Sequence, residues 1–191
     1  MKIKNKTRKN KGGHKVHYDY DANIDAGTNK PLTGKYVHKN NCTACALYSL
    51  GLMTKDTARY LQRIQPDGLK IQSVLDIIND TFGPGHTFIN YKTAQSLQSY
   101  LQAGEATIGI YGVIEPDGFE WGHCFIVFHA ENGNLYSIDP QVHTVSLLRT
   151  YLANIDMKKF FVLTEPPDKH PVQKFITVET INRAIAKNHE L

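Results

Sequence analysis

Apolar positions fall in two rhythms along this chain, and the change from one to the other divides it. Between residues 40 and 102 the period is helical. Leu47, Tyr48, Leu50 and Leu52 mark a mostly apolar helix that opens at Asn41, a residue type suited to capping, and stops at Gly51. A helix that is apolar on most sides is a buried one. Thr54 starts a second helix that runs to Ile64 and is ended by Pro66-Asp67-Gly68. Ile71, Val74, Leu75, Ile78 and Phe82 give the i, i+3, i+4, i+7 spacing of a third, closed by Gly83-Pro84-Gly85. A short strand over 87–91 and a helix over 93–102 follow. From Ala106 the rhythm is that of strands. Segments 106–114, 121–129 and 135–139 are rich in β-branched and aromatic residues and are separated by the turn sequences Glu115-Pro116-Asp117-Gly118 and Glu131-Asn132-Gly133-Asn134. A helix over 146–154, a strand over 159–164, a Pro166-Pro167 break and a last helix from Thr177 complete the pattern. Helices first and an antiparallel sheet afterwards predict an α+β domain.

The middle strand segment is the most informative of these. Trp121, His123, Phe125 and Val127 alternate with Gly122, Cys124, Ile126 and Phe128, apolar on both faces, which predicts a central strand. Its pairing with segment 135–139 depends on the turn. A three-residue loop Glu131-Asn132-Gly133, with Gly133 left-handed, sets Gln141 opposite His123 and Asp139 one rung away on the same face. A two-residue loop at Asn132-Gly133 shifts the register by one and sends Asp139 to the other face.

Charge separates the N-terminal part from the rest. The net charge of +4 conceals ten Lys/Arg against three Asp in residues 1–39, and twelve against fifteen acids in residues 40–191. Lys2, Lys4, Lys6, Arg8, Lys9, Lys11 and Lys15 stand among Asn, Thr and Gly with almost nothing apolar between them, so residues 1–18 read as a flexible basic tail. Such a tail attracts nucleic acid or other acidic partners without specificity, and it lacks interleaved aromatic residues that would stack on bases. Residues 19–39 carry turn formers and form an irregular lead-in, leaving one domain over 19–191 with its core at about 40–165. A chain of 191 residues buries roughly 65–70% of its unfolded surface, enough to need neither disulfides nor a structural metal. No stretch approaches the ~18 apolar residues of a membrane span, and the basic N-terminus lacks a secretory apolar segment. A cytoplasmic protein is expected. Its three cysteines, Cys42, Cys45 and Cys124, suit a reducing compartment in which a thiol stays available.

Chemistry enters with those cysteines. A thiol becomes a nucleophile when a base takes its proton and a third group holds that base in the right tautomer. Cys42 opens the first predicted helix, where free N–H groups and the helix dipole stabilise a thiolate and where its own N–H is a donor for an oxyanion. Cys45 lies one turn deeper in apolar surroundings and reads as core. His123 is the candidate base and Asp139 the candidate orienting acid, provided the longer hairpin loop forms. Trp121, just before the histidine, is a candidate for the substrate cleft. A zinc site from Cys42, Cys45, His123 and Cys124 fails on geometry, because His123 and Cys124 are adjacent in a strand and point to opposite faces. A thioredoxin-type reading of Cys42-x-x-Cys45 lacks the surrounding βαβ pattern. No metal or cofactor is expected.

Asn41-Cys42-Thr43-Ala44-Cys45-Ala46, Gly122-His123-Cys124-Phe125-Ile126-Val127 and Tyr136-Ser137-Ile138-Asp139-Pro140-Gln141 together resemble the three motifs of the papain-fold toxin domain, a branch of the papain-like cysteine hydrolases. The order and the 81- and 16-residue separations carry the resemblance, which covers about residues 40–165. It implies a nucleophile helix packed on an antiparallel sheet and hydrolysis of amide bonds in proteins, with Cys42 as nucleophile, His123 as general base, Asp139 as orienting acid and Gln141 as a polar support. Papain-like enzymes commonly carry a glutamine shortly before the nucleophile to bind the oxyanion. This chain has Lys39, Asn40 and Asn41 there, which makes Asn40 or Asn41 the substitute. The Lys/Arg-rich tail ending in Gly12-Gly13 resembles the N-termini of many proteins of large DNA viruses, which implies a host-cell or virion location. The same triad serves a peptidase, an isopeptidase, or a glutamine deamidase or transamidase. A catalytically silent protein-binding module is the alternative of a different class.

Overall fold

The computed structural model describes residues 41–65, 67–90, 97, 100–114, 120–142, 144–153, 159–164 and 175–189. The basic tail, the lead-in, Asn40, most of the helix predicted over 93–102, the 115–118 turn and the Pro166-Pro167 break lie outside them, as does the side chain of Trp121.

Helix α1 (Cys42–Ser49) ends as its sequence requires. Gly51 adopts φ 71°, its N–H reaches Tyr48 O at 2.9 Å, and Leu52 N–H reaches Leu47 O at 3.0 Å, which closes the helix in a Schellman turn. Helix α2 (Lys55–Ile64) is capped by the Thr54 hydroxyl, which accepts from Thr57 N–H at 3.2 Å. Helix α3 (Ile71–Phe82) turns Val74, Ile77 and Ile78 inward and stops at Gly83, φ 103°. Strands β1 (Thr87–Asn90), β2 (Ala106–Ile114), β3 (Glu120–His129), β4 (Leu135–Asp139) and β5 (Thr144–Leu147) precede helix α4 (Leu148–Ala153), strand β6 (Lys159–Thr164) and helix α5 (Val178–His189). The six strands form one sheet in the order β1-β6-β2-β3-β4-β5, with every neighbouring pair antiparallel. The architecture is therefore α+β.

The helix predicted over 146–154 requires correction at its start. Residues 144–147 are a strand, with Ser146 paired to Ser137 and Leu147 to Tyr136, and the helix begins only at Leu148. The open edge of β4 offers unpaired backbone groups, and the stretch Thr144-Val145-Ser146 satisfies them before a helix can start.

Strand β3 is interior, and its two faces enter two cores. Cys124, Ile126 and Phe128 pack with Ala44, Cys45 and Leu47 of α1 and with α2, α3 and α5, while Phe125 and Val127 pack on the other face with Leu97, Leu148 and Val162. Burying each such large side chain is worth about 1.5–3 kcal/mol. The α1 helix is thus pressed against β3, with its first residue at the end of the sheet where β3 begins and β4 ends.

Candidate functional site

Asn41 occupies the N-cap position of α1, with its carbonyl accepting Cys45 N–H at 3.0 Å, but its side chain does not cap the helix as its residue type predicts. The reason lies 100 residues away. Gln141 Nε2 donates to Asn41 Oδ1 at 2.8 Å, drawing the carboxamide away from the helix, and Gln141 N–H donates to Asp139 Oδ1 at 3.1 Å. Gln141 therefore ties the start of the cysteine helix to the end of β4. Asn41 is 3% exposed, and its Nδ2 has no hydrogen-bond partner among the described residues.

The β3–β4 hairpin takes the longer loop. Gly133 is left-handed at φ 78°, its N–H reaches Ala130 O at 2.9 Å, and Ala130 N–H reaches Asn134 O at 2.9 Å. Ile126 consequently pairs with Ile138 and Phe128 with Tyr136. In this register Asp139 falls one rung from His123, and His123 Nε2 lies 2.5 Å from Asp139 Oδ2. Both side chains are largely shielded, 14% and 5% exposed.

Cys42 completes the row. Its sulfur hydrogen-bonds the His123 ring, and it accepts from Cys124 N–H and the Thr43 hydroxyl. Because Asp139 takes Nε2, Nδ1 is the nitrogen left for the thiol. Burial pushes the Cys42 thiol up, but the hydrogen bond and charge of His123, helped by the two other donors, reverse this and hold it below its ordinary value. For His123 burial disfavours the imidazolium, yet its hydrogen bonds to Asp139 and Cys42, and their charges, raise it to about 10. Both shifts favour the thiolate–imidazolium form of the pair over the neutral one. Cys45 and Cys124 differ sharply: burial first, and then the Cys42 charge, push both thiols well up. Cys45, at 0% exposure, is core, as its sequence position predicts.

Two residues at the site escape the sequence reading. Tyr111 stands directly across from His123 in the β2–β3 pairing, with ring centroids 5.4 Å apart. The pairing is set by the register Ile114↔Glu120, which continues to Tyr111↔His123. Tyr151, on α4, places its hydroxyl 3.4 Å from Asp139 Oδ2 and its ring 4.9 Å from Phe125. No local pattern announces it.

The sequence matches no protein-family model and no curated protein. What the site can do thus rests on its own geometry: a thiol with a lowered pKa, a base in hydrogen-bond contact with it, and a buried carboxylate behind the base. Among the described residues no group of three His, Cys, Asp or Glu side chains is arranged to hold a metal ion, and no helix is long and apolar enough to cross a membrane.

Proposed function

We propose that this protein is a cysteine-dependent hydrolase of amide bonds in protein substrates, with a papain-like arrangement of nucleophile helix and sheet. The observation that carries the reading is the continuous chain Cys42–His123–Asp139, formed from three distant segments, with Asp139 buried, His123 largely shielded and Cys42 half-buried. Cys42, as thiolate, attacks the substrate carbonyl carbon. His123, as imidazolium, gives its proton to the departing nitrogen, and then takes one from the water that releases the acyl group from sulfur. Asp139 keeps a proton on Nε2 throughout, so that Nδ1 stays directed at the thiol. The tetrahedral intermediate needs donors for its oxyanion. Cys42 N–H, in the first turn of α1, is one, because first-turn N–H groups have no partner within the helix. The unpaired Asn41 Nδ2 is the second, its orientation set by Gln141. A buried donor without a partner calls for a reason, and an oxyanion supplies one.

The resemblance to papain-fold toxin domains agrees with this reading. Whether the acyl group is a backbone carbonyl, an isopeptide or a glutamine carboxamide is read from the product: a new peptide terminus for the first two, ammonia for the third.

The test is intact-mass labelling of wild type, Cys42→Ala and His123→Ala with limiting iodoacetamide at pH 5–8. Fast modification at a single cysteine, absent in Cys42→Ala and slowed in His123→Ala, supports the reading. Slow labelling of all three cysteines regardless of His123 overturns it and leaves a protein-binding module.

A further inference from the structure

The described titratable side chains grouped around Asp139 are Cys42 and Cys45 on α1, Tyr111 on β2, His123 and Cys124 on β3, and Tyr151 on α4. The hydrolytic scheme uses Cys42, His123 and Asp139, and the two buried thiols belong to the core. The tyrosines are unaccounted for. Their hydroxyls hydrogen-bond each other, and Tyr151 also reaches Asp139 Oδ2, the oxygen that holds His123. Burial, and then the charge of Asp139, push both phenols above their ordinary value, so both are neutral at working pH. A carboxylate only accepts. The directions are therefore settled: Tyr111 O–H donates to Tyr151, and Tyr151 O–H donates to Asp139.

We propose that Tyr151 is a positioning residue of the Cys42–His123 pair, acting through Asp139: its hydroxyl shares Oδ2 with His123 Nε2 and so limits how tightly the carboxylate holds the imidazolium proton. The inference rests on the hydrolase reading above. The orientation of the carboxylate does not depend on Tyr151, because Gln141 N–H secures Oδ1. What Tyr151 alone contributes is a donor that draws electron density from the oxygen facing His123. With that donor gone, the carboxylate has one claimant fewer at Oδ2 and binds the imidazolium more strongly. A histidine that keeps its proton too firmly is a poor acid for the departing nitrogen.

The test follows the His123 ring by the proton NMR shift of its Cε1–H across pH 5–11, assigned by its loss in His123→Ala, in wild type, Tyr151→Phe and Tyr111→Phe. The phenylalanine at 151 keeps the ring against Phe125, so melting temperature serves as the control for packing. Tyr151→Phe is expected to raise the His123 midpoint by about half a pH unit, and Tyr111→Phe to raise it by less, each with a melting temperature lowered by no more than the about 2–4 °C that a lost hydrogen bond accounts for. A midpoint in Tyr151→Phe that is unmoved or lowered overturns the proposal. If wild-type His123 itself titrates at its ordinary value near 6.5 and Cys42→Ala leaves it there, the Cys42–His123 reading fails instead.

Discussion

Replacing Asp139 by asparagine removes a charge at nearly constant shape, and the surrounding donors dictate the result. The carboxylate accepts at both oxygens: His123 and Tyr151 on Oδ2, and Gln141 N–H on Oδ1. Asparagine offers one oxygen and one amino group. Turned with its amino group toward His123, it makes Nε2 an acceptor and moves the ring proton to Nδ1, where it faces Cys42 and blocks the transfer. Turned the other way, it sets a donor against Gln141 N–H and leaves the imidazolium without its counter-charge. A charge at this range is worth about 1–3 pKa units, so the upper end of the thiolate–imidazolium window is expected to fall from about 10 to roughly 7–9. The orphaned donor costs about 1–3 kcal/mol, readable as a lower urea midpoint. Iodoacetate is the suitable reagent, because its carboxylate is drawn to the imidazolium beside the thiolate. Its rate of Cys42 modification should rise as the thiol ionises and fall as His123 loses its proton. A falling limb in Asp139→Asn that coincides with the wild-type limb refutes the assignment of Asp139 as the group that holds His123 charged.

Three further outcomes are expected. Asn41→Ala should slow acylation by p-nitrophenyl acetate by about 10²–10³-fold while leaving iodoacetamide alkylation unchanged, because alkylation forms no oxyanion; equal loss in both reactions would point to a damaged nucleophile. Gly109→Ala should lower stability by about 1–3 kcal/mol in urea titration, since a Cβ there would stand 2.8 Å from Val127 Cγ2 and 2.9 Å from Phe125 Cζ; a variant as stable as wild type would show that the aromatic layer under the site yields easily. Stability should decline between pH 9 and 10 more in wild type than in Cys42→Ala/His123→Ala, which removes both members of the coupled pair and so leaves no buried Cys42 thiol to titrate alone. The raised His123 stabilises the fold fully below 6.5 and loses its contribution as pH climbs to about 10, while the gain from the depressed Cys42 is complete by its ordinary value of 9.0. Parallel curves would show that His123 is no more basic in the fold than outside it.

The parts of this protein legible in its sequence are those fixed by local rules. Ile71–Phe82 reads as a helix from its spacing, and Gly133 sets the hairpin register because a three-residue loop needs a left-handed residue at that point. From that register the His123–Asp139 contact follows without further information. The misread parts are those decided by distant partners. Asn41 has the chemistry of a cap but is engaged by Gln141, and Ser146-Leu147 carries helical spacing but meets the open edge of β4. Tyr151 enters through packing of α4 on the sheet, which no period along the chain encodes.

The Asn41–Gln141 bridge joins residues 100 positions apart, and this has a bearing on biosynthesis. A ribosome releases Cys42 well before it has made Asp139 and Gln141, so the nascent thiol passes through synthesis with no base, no acid and no fixed helix start. On the proposed reading, reactivity arises only with closure of this long-range contact, the slowest kind to form. Fragments ending before β4 would on that reading be inert, and the appearance of a reactive Cys42 would report the closure of this contact.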